Sequence, residues 1–116
     1  AALLFSGALR AAERPYDAAG FEAAQRSGKP VLLAVHADWC PTCRVQEWVL
    51  RDLLKRKEYA GLSVFRVDYD LHKAVLKRFG VRTQSTLIVF KGRKEVARSI
   101  AQTNKDAIAA DLAKAL

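Results

Sequence analysis

Cys40 and Cys43 are the residues of this chain best suited to chemistry. They are its only cysteines, and they stand in C-x-x-C spacing within Trp39-Cys40-Pro41-Thr42-Cys43. The apolar run Val31-Leu32-Leu33-Ala34-Val35 precedes them, and a helix-like stretch follows. A strand that delivers C-x-x-C to a helix start puts Cys40 at the N-cap and Cys43 one turn in. The free N–H groups of that turn and the helix dipole favour negative charge on Cys40. Thiolate is the nucleophile of disulfide exchange, so this placement activates Cys40. Cys43, more buried on the adjacent turn, is positioned to attack the mixed disulfide that results. Pro41 suits the first helical position, where no donor is lost. Trp39 can shield the pair and offer an apolar surface beside it. A purely structural crosslink is a weak reading, because so short a loop removes little chain entropy. A metal site is equally weak: zinc usually takes four ligands, and only His36 and His72 could join the thiols. His36 lies on the strand before Cys40 and His72 in a distant helix, so no metal ligand is assigned.

The elements that must position this pair can be read along the chain. Pro15-Tyr16-Asp17 reads as a helix start capped by Asp17, with Phe21, Ala24 and Gln25 at helical spacing up to Gly28. Val31 to Val35 is continuously apolar, as expected of a strand buried on both faces. After the cysteines, Val45, Trp48, Val49 and Leu53 form an apolar stripe, opposite Arg44, Glu47, Arg51 and Lys55, with Glu47 and Arg51 as an i,i+4 pair. Leu62 to Tyr69 alternates like a strand, and Leu71 to Phe79 reads as a short helix stopped by Gly80. Thr86 to Phe90 is a second central strand, turned by Lys91-Gly92-Arg93 into another around Glu95 to Ile100. Thr103-Asn104-Lys105-Asp106 resembles an acidic capping box, opening a last helix with Ile108, Leu112 and Leu116 inward. The order α-β-α-β-α-β-β-α predicts an α/β fold: a mixed four-stranded sheet with helices on both faces, parallel in its β-α-β part and antiparallel in the last hairpin.

The chain has 116 residues, 51% of them hydrophobic, which fits one domain with a sizeable core. The formal charge of +8 suits acidic partners or anionic surfaces. There is no aromatic-interleaved basic stripe and no nucleic-acid motif, so nucleic acid is not an expected partner. No stretch reaches the roughly 18 apolar residues a membrane span needs. The segment Ala1 to Leu9 is apolar and rich in small residues. It reads as a signal remnant, or as a docking helix with Leu3, Leu4, Ala8 and Ala11 on one face. The expected organisation is an N-terminal extension over residues 1–14, through which alone membrane contact is expected, and one domain over residues 15–116.

At this point the sequence resembles the thioredoxin superfamily, from about Phe21 to Leu116. Lys29-Pro30-Val31-Leu32-Leu33, Ala37-Asp38-Trp39-Cys40-Pro41-Thr42-Cys43-Arg44, Val67-Asp68-Tyr69-Asp70, Phe79-Gly80-Val81-Arg82 and Ser85-Thr86-Leu87-Ile88-Val89-Phe90-Lys91-Gly92 carry the resemblance. Gly28-Lys29-Pro30 and Ala37-Asp38-Trp39-Cys40 look most like the C-terminal periplasmic domain of transmembrane disulfide reductases and like exported single-domain relatives. The resemblance implies a thioredoxin fold and a thiol–disulfide oxidoreductase acting on protein disulfides or dithiols, as a reductant or electron relay. Cys40 would attack and Cys43 resolve. The redox-active Cys40–Cys43 disulfide would carry the electrons with no other cofactor. It also implies the bacterial periplasm or another exported location, with the cytoplasm as the alternative.

Three positions depart from the family pattern. The cis-proline expected before the Thr86-Leu87 strand is Ser85, so the Gln84–Ser85 bond is expected either trans in a reshaped loop or cis and strained. The backbone of that loop would pair with a substrate strand. Candidate substrate contacts are therefore Gln84, Ser85 and Thr86, together with Trp39, Pro41 and Thr42. The buried acid expected beneath the second cysteine is Ala34, leaving Asp38 or water to take the Cys43 proton. The basic partner of that acid is Arg66, whose charge is permanent. His36, Asp38 and Arg66 are thus candidate modulators of the pair. Two alternatives stand beside the enzyme: a non-catalytic binding module using the altered loop, and metal or iron–sulfur binding through the cysteines, which the missing proline would favour.

Overall fold

Val31, Leu32, Leu33 and Val35 are almost wholly shielded from solvent, which makes their strand the centre of the sheet. The protein is described here from a computed structural model covering residues 11–116. Its elements are β1 (Ala12–Pro15), α1 (Ala18–Arg26), β2 (Pro30–His36), α2 (Pro41–Leu53), β3 (Ser63–Asp68), α3 (Lys73–Arg78), β4 (Thr86–Lys91), β5 (Lys94–Ile100) and α4 (Lys105–Ala113). A single 3₁₀ turn, Lys57–Tyr59, lies between α2 and β3.

The sheet has five strands in the order β1-β3-β2-β4-β5. The expected four-stranded sheet is present as β3-β2-β4-β5: β2 runs parallel to β3, and β4 antiparallel to β2 and β5. The fifth strand corrects that expectation. Ala12–Pro15 pairs in parallel with Ser63–Arg66 at the sheet edge, held at its ends by Ala12 N–H to Leu62 O and Tyr16 N–H to Arg66 O. The sheet thus begins inside the segment taken as an extension. The proposed helix through Leu3, Leu4 and Ala8 lies outside the described residues.

Alternation along the strands sorts side chains to two cores. Leu32, Val64, Leu87 and Val89 meet Leu50 and Leu53 of α2 and Ile108 and Leu112 of α4. Leu33, Phe65, Ile88 and Phe90 point the other way, onto Phe21 of α1 and Leu76 of α3. Phe21 is fully buried and meets Phe65, Phe79 and Phe90 edge-on, with ring centroids 5.2–5.5 Å apart. Burying such a ring contributes about 2–3 kcal/mol.

The α1 cap follows the sequence reading, whereas the last helix is capped at Asn104 and not at Thr103 of the expected box. The Asp17 carboxylate accepts the Gly20 N–H at 2.8 Å and starts α1. The Asn104 side chain accepts the Ala107 N–H at 2.9 Å and starts α4. Gly80, at φ 65°, ends the α3 turn in a conformation that favours glycine. Two helix faces differ from expectation. Helix α2 buries Cys43, Gln46, Leu50 and Leu53, whereas Val45 and Trp48 of the expected stripe are exposed. At the C-terminus Ala115 is buried in place of Leu116.

Candidate active site

Strand β2 ends at His36, and the chain turns through Ala37–Trp39 into α2 with Cys40 as its N-cap. The Cys40 N–H donates to Ala37 O at 3.1 Å, which fixes the turn. Pro41 occupies the first helical turn, and the Cys43 N–H donates to Cys40 Sγ at 3.1 Å. The helix start therefore aims a donor at this sulfur, as the sequence required. Both cysteines are free thiols, each 2% exposed, in a small cluster with Ala37 and the ring of Tyr69.

The two thiols are nevertheless displaced in opposite directions. Burial opposes charge on Cys40, but hydrogen bonds from the Cys43 side chain, the Ser85 hydroxyl, the Cys43 N–H and Gln84 outweigh it, so its pKa lies below the ordinary thiol value. Burial pushes Cys43 up, and the hydrogen bond it makes to Cys40 holds its proton further. Ser85 and the Ala37 backbone counteract this only in part. Of the two, Cys40 is therefore the thiol that ionises first, and Cys43 the one that holds its proton to higher pH.

Ser85 stands opposite both sulfurs. Its hydroxyl lies 2.9 Å from Cys43 Sγ and 3.4 Å from Cys40 Sγ. Among the described residues no peptide bond is cis, so the Gln84–Ser85 bond is trans and the loop is reshaped: Ser85 has φ 62°. Its N–H donates to Val35 O at 2.9 Å, and its carbonyl accepts from Ala101 N–H and from Gln46 Nε2. Both backbone groups are thus used within the fold, and what Ser85 presents to the site is its hydroxyl. The Thr86 hydroxyl is buried and donates to Thr83 O, closing the same loop from the strand side.

Trp39 is 58% exposed beside the pair, steadied by its indole N–H donating to Asp70 Oδ2 at 2.8 Å. Pro41 is exposed and Thr42 half-buried at the helix start. Asp38 points outward, its side chain 95% exposed, and its carboxylate meets His36 Nε2 at 3.1 Å rather than Cys43.

Behind Cys43 lies a cavity of about 50 Å³ lined by Ala34, His36, Glu47, Arg66 and Glu13. Ala34 and Cys43 both line it, and Ala34 contributes only a methyl group to its wall. Since one water needs about 10–15 Å³, it has room for more than one. Arg66 pairs with Glu13 and, at 3.8 Å, with Glu47 Oε1, which lies 3.4 Å from the buried His36 Nδ1. Glu47 thus turns to Arg66 and His36 rather than to Arg51. The sequence reading missed Gln46 and Glu47 as site residues. The available signal was helical spacing, since they follow Cys43 by three and four positions and share its face. Among the described residues no group of three or more His, Cys, Asp or Glu is arranged to hold a metal ion.

Comparison with known proteins agrees with this geometry. The family model described as Thioredoxin matches residues 15–114. Thioredoxin H4 of Arabidopsis thaliana is 33% identical over 91 residues, covering 78% of this chain and 75% of that protein. Thioredoxin of Alicyclobacillus acidocaldarius is 32% identical over 98 residues, covering 84% and 92%. The crystal structure of Trxlp from Edwardsiella tarda superposes with a TM-score of 0.85 at 44% identity, covering 87% of this chain and 98% of that one. The family, the fold and the cysteine pair lead to one conclusion: the chain belongs to the thioredoxin family, a thiol–disulfide oxidoreductase that works through its own Cys40–Cys43 pair and needs no further cofactor.

Proposed function

We propose that this oxidoreductase works as a reductant or electron relay for protein disulfides outside the cytoplasm. The observation that carries the direction is the set of groups lowering Cys40: the Cys43 thiol and N–H, Ser85 and Gln84, all uncharged. A strongly oxidising pair needs a thiolate so stable that the disulfide is disfavoured. Here burial works against the thiolate and it is overcome by neutral donors alone, with no cation to stabilise the charge further, so the disulfide remains a favourable product. A substrate protein would dock across the exposed Trp39 and the Gln84 side of the Ser85 loop. Its disulfide is opened by Cys40 and released by Cys43.

The exported location is supported by the apolar, small-residue run Ala1 to Leu9 and by the motif likeness to periplasmic reductase domains. Among the described residues no helix is long and apolar enough to cross a membrane.

Redox titration against glutathione tests the direction. The expected potential lies toward the thioredoxin end of the scale, about −270 mV, and a value near −120 mV would overturn the assignment. Fractionation of cells making the full-length protein tests the compartment. Recovery with periplasmic markers is expected, and recovery with cytoplasmic ones would refute it.

A further inference from the structure

We propose that the Ser85 hydroxyl is a catalytic group, a single hydrogen-bond donor that follows the negative charge from Cys40 to Cys43 as exchange proceeds. The need for it comes from Cys43. This thiol is buried, and it must become a thiolate to resolve the mixed disulfide. The carboxylate that could have taken its proton is absent at Ala34, and Asp38 faces solvent. Among the described residues the Ser85 hydroxyl is the one polar side chain outside the pair that hydrogen-bonds both sulfurs, at 2.9 and 3.4 Å.

A hydroxyl has one proton to donate and two lone pairs to accept with, and it rotates freely to suit its partners. In the dithiol the Cys43 S–H donates to Cys40, and the Ser85 hydroxyl donates to the Cys40 thiolate as well. Cys40 attacks the substrate disulfide, one S–S bond breaks as another forms, and the first substrate sulfur leaves as a thiolate that takes a proton from water. Cys40 now carries no charge. The Ser85 hydroxyl is released from it and turns its proton toward Cys43, whose own proton passes to water. The Cys43 thiolate then attacks Cys40 Sγ, and the second substrate sulfur departs and is protonated by water. The cysteine pair has lost two electrons, the substrate has gained them, and Ser85 ends unchanged.

The backbone supports this assignment. Ser85 is held at φ 62°, where a residue with a side chain is strained, by bonds to Val35 O, Ala101 N and Gln46 Nε2. Glycine would relax that strain, so a residue present only for backbone shape is better replaced by glycine. The test uses this. An aromatic disulfide that releases one coloured thiol per attack reports the two steps separately: first Cys40 attack, then Cys43 release.

In Ser85→Gly and Ser85→Ala both steps are expected to slow by about ten- to a hundredfold, the size of losing a hydrogen bond to a charged group. The pH profile of the first step should move upward, and the glycine variant should melt no lower than the parent. Unchanged rates in the glycine and alanine variants would overturn the proposal. So would slowing of the first step alone, because the donor would then serve only Cys40.

Discussion

The two thiols stand three residues apart and are equally buried, yet they face different worlds. Cys40 looks forward, to the first turn of α2, the exposed Trp39 and the Ser85 loop. Cys43 looks back into a cavity where Ala34 leaves space and where Glu47, His36 and Arg66 gather. In front, backbone and side-chain donors converge on a sulfur and lower its pKa. Behind, burial keeps the proton on. Burial opposes charge on both sulfurs, and the direction of the neighbouring hydrogen bonds decides which of them overcomes it.

The largest expected effect comes from removing the front. Cys40→Ser should reduce disulfide exchange by about 10³-fold or more, because the protonated, buried Cys43 cannot serve as the attacking thiol. Comparable rates from this variant in a turnover assay would erase the distinction between the two sulfurs. Cys43→Ser should leave the first attack within a few-fold of the parent but halt turnover. The product is a stable mixed disulfide on Cys40, visible as an added mass that reductant removes.

Changes around the pair should have smaller effects. Ala34→Asp puts a carboxylate into the rear cavity. It is expected to speed Cys43 release several-fold with little change at Cys40, at a cost of about 1–3 kcal/mol in denaturant unfolding for burying a polar group. An equal change in both steps would show that front and back are not separable. Trp39→Ala removes docking surface without touching a sulfur. KM for a protein disulfide should rise by about two- to tenfold while alkylation of Cys40 by a small reagent stays constant.

Much of the front was legible in the sequence, because it is local. The apolar run of β2, the N-cap position of Cys40 and the place of Pro41 all lie within a short stretch of chain. The back is built by contacts across the fold. Ala34 signals a missing acid, but the return of Glu47 toward His36 and Arg66 depends on where α2 lands on the sheet. Its inward face is set by Cys43, Gln46, Leu50 and Leu53, not by the hydrophobic stripe, because Gln46 is drawn in to bond the carbonyls of Ser85 and Gln102. Strand β1 was invisible for a related reason. Ala12-Glu13-Arg14-Pro15 has neither alternation nor β-branched residues, and it is a strand because the edge of β3 is there to pair with it.

The central claim, that Cys40 ionises more readily than Cys43, is tested most directly by alkylating the reduced protein across a pH series and locating the label by mass mapping. As pH rises, Cys40 should be labelled first, with a midpoint below that of an ordinary thiol, because its pKa is lowered. Cys43 should be labelled only at higher pH or after unfolding, because its pKa is raised. Labelling of Cys43 first, or of both cysteines together at an ordinary thiol midpoint, would contradict the account.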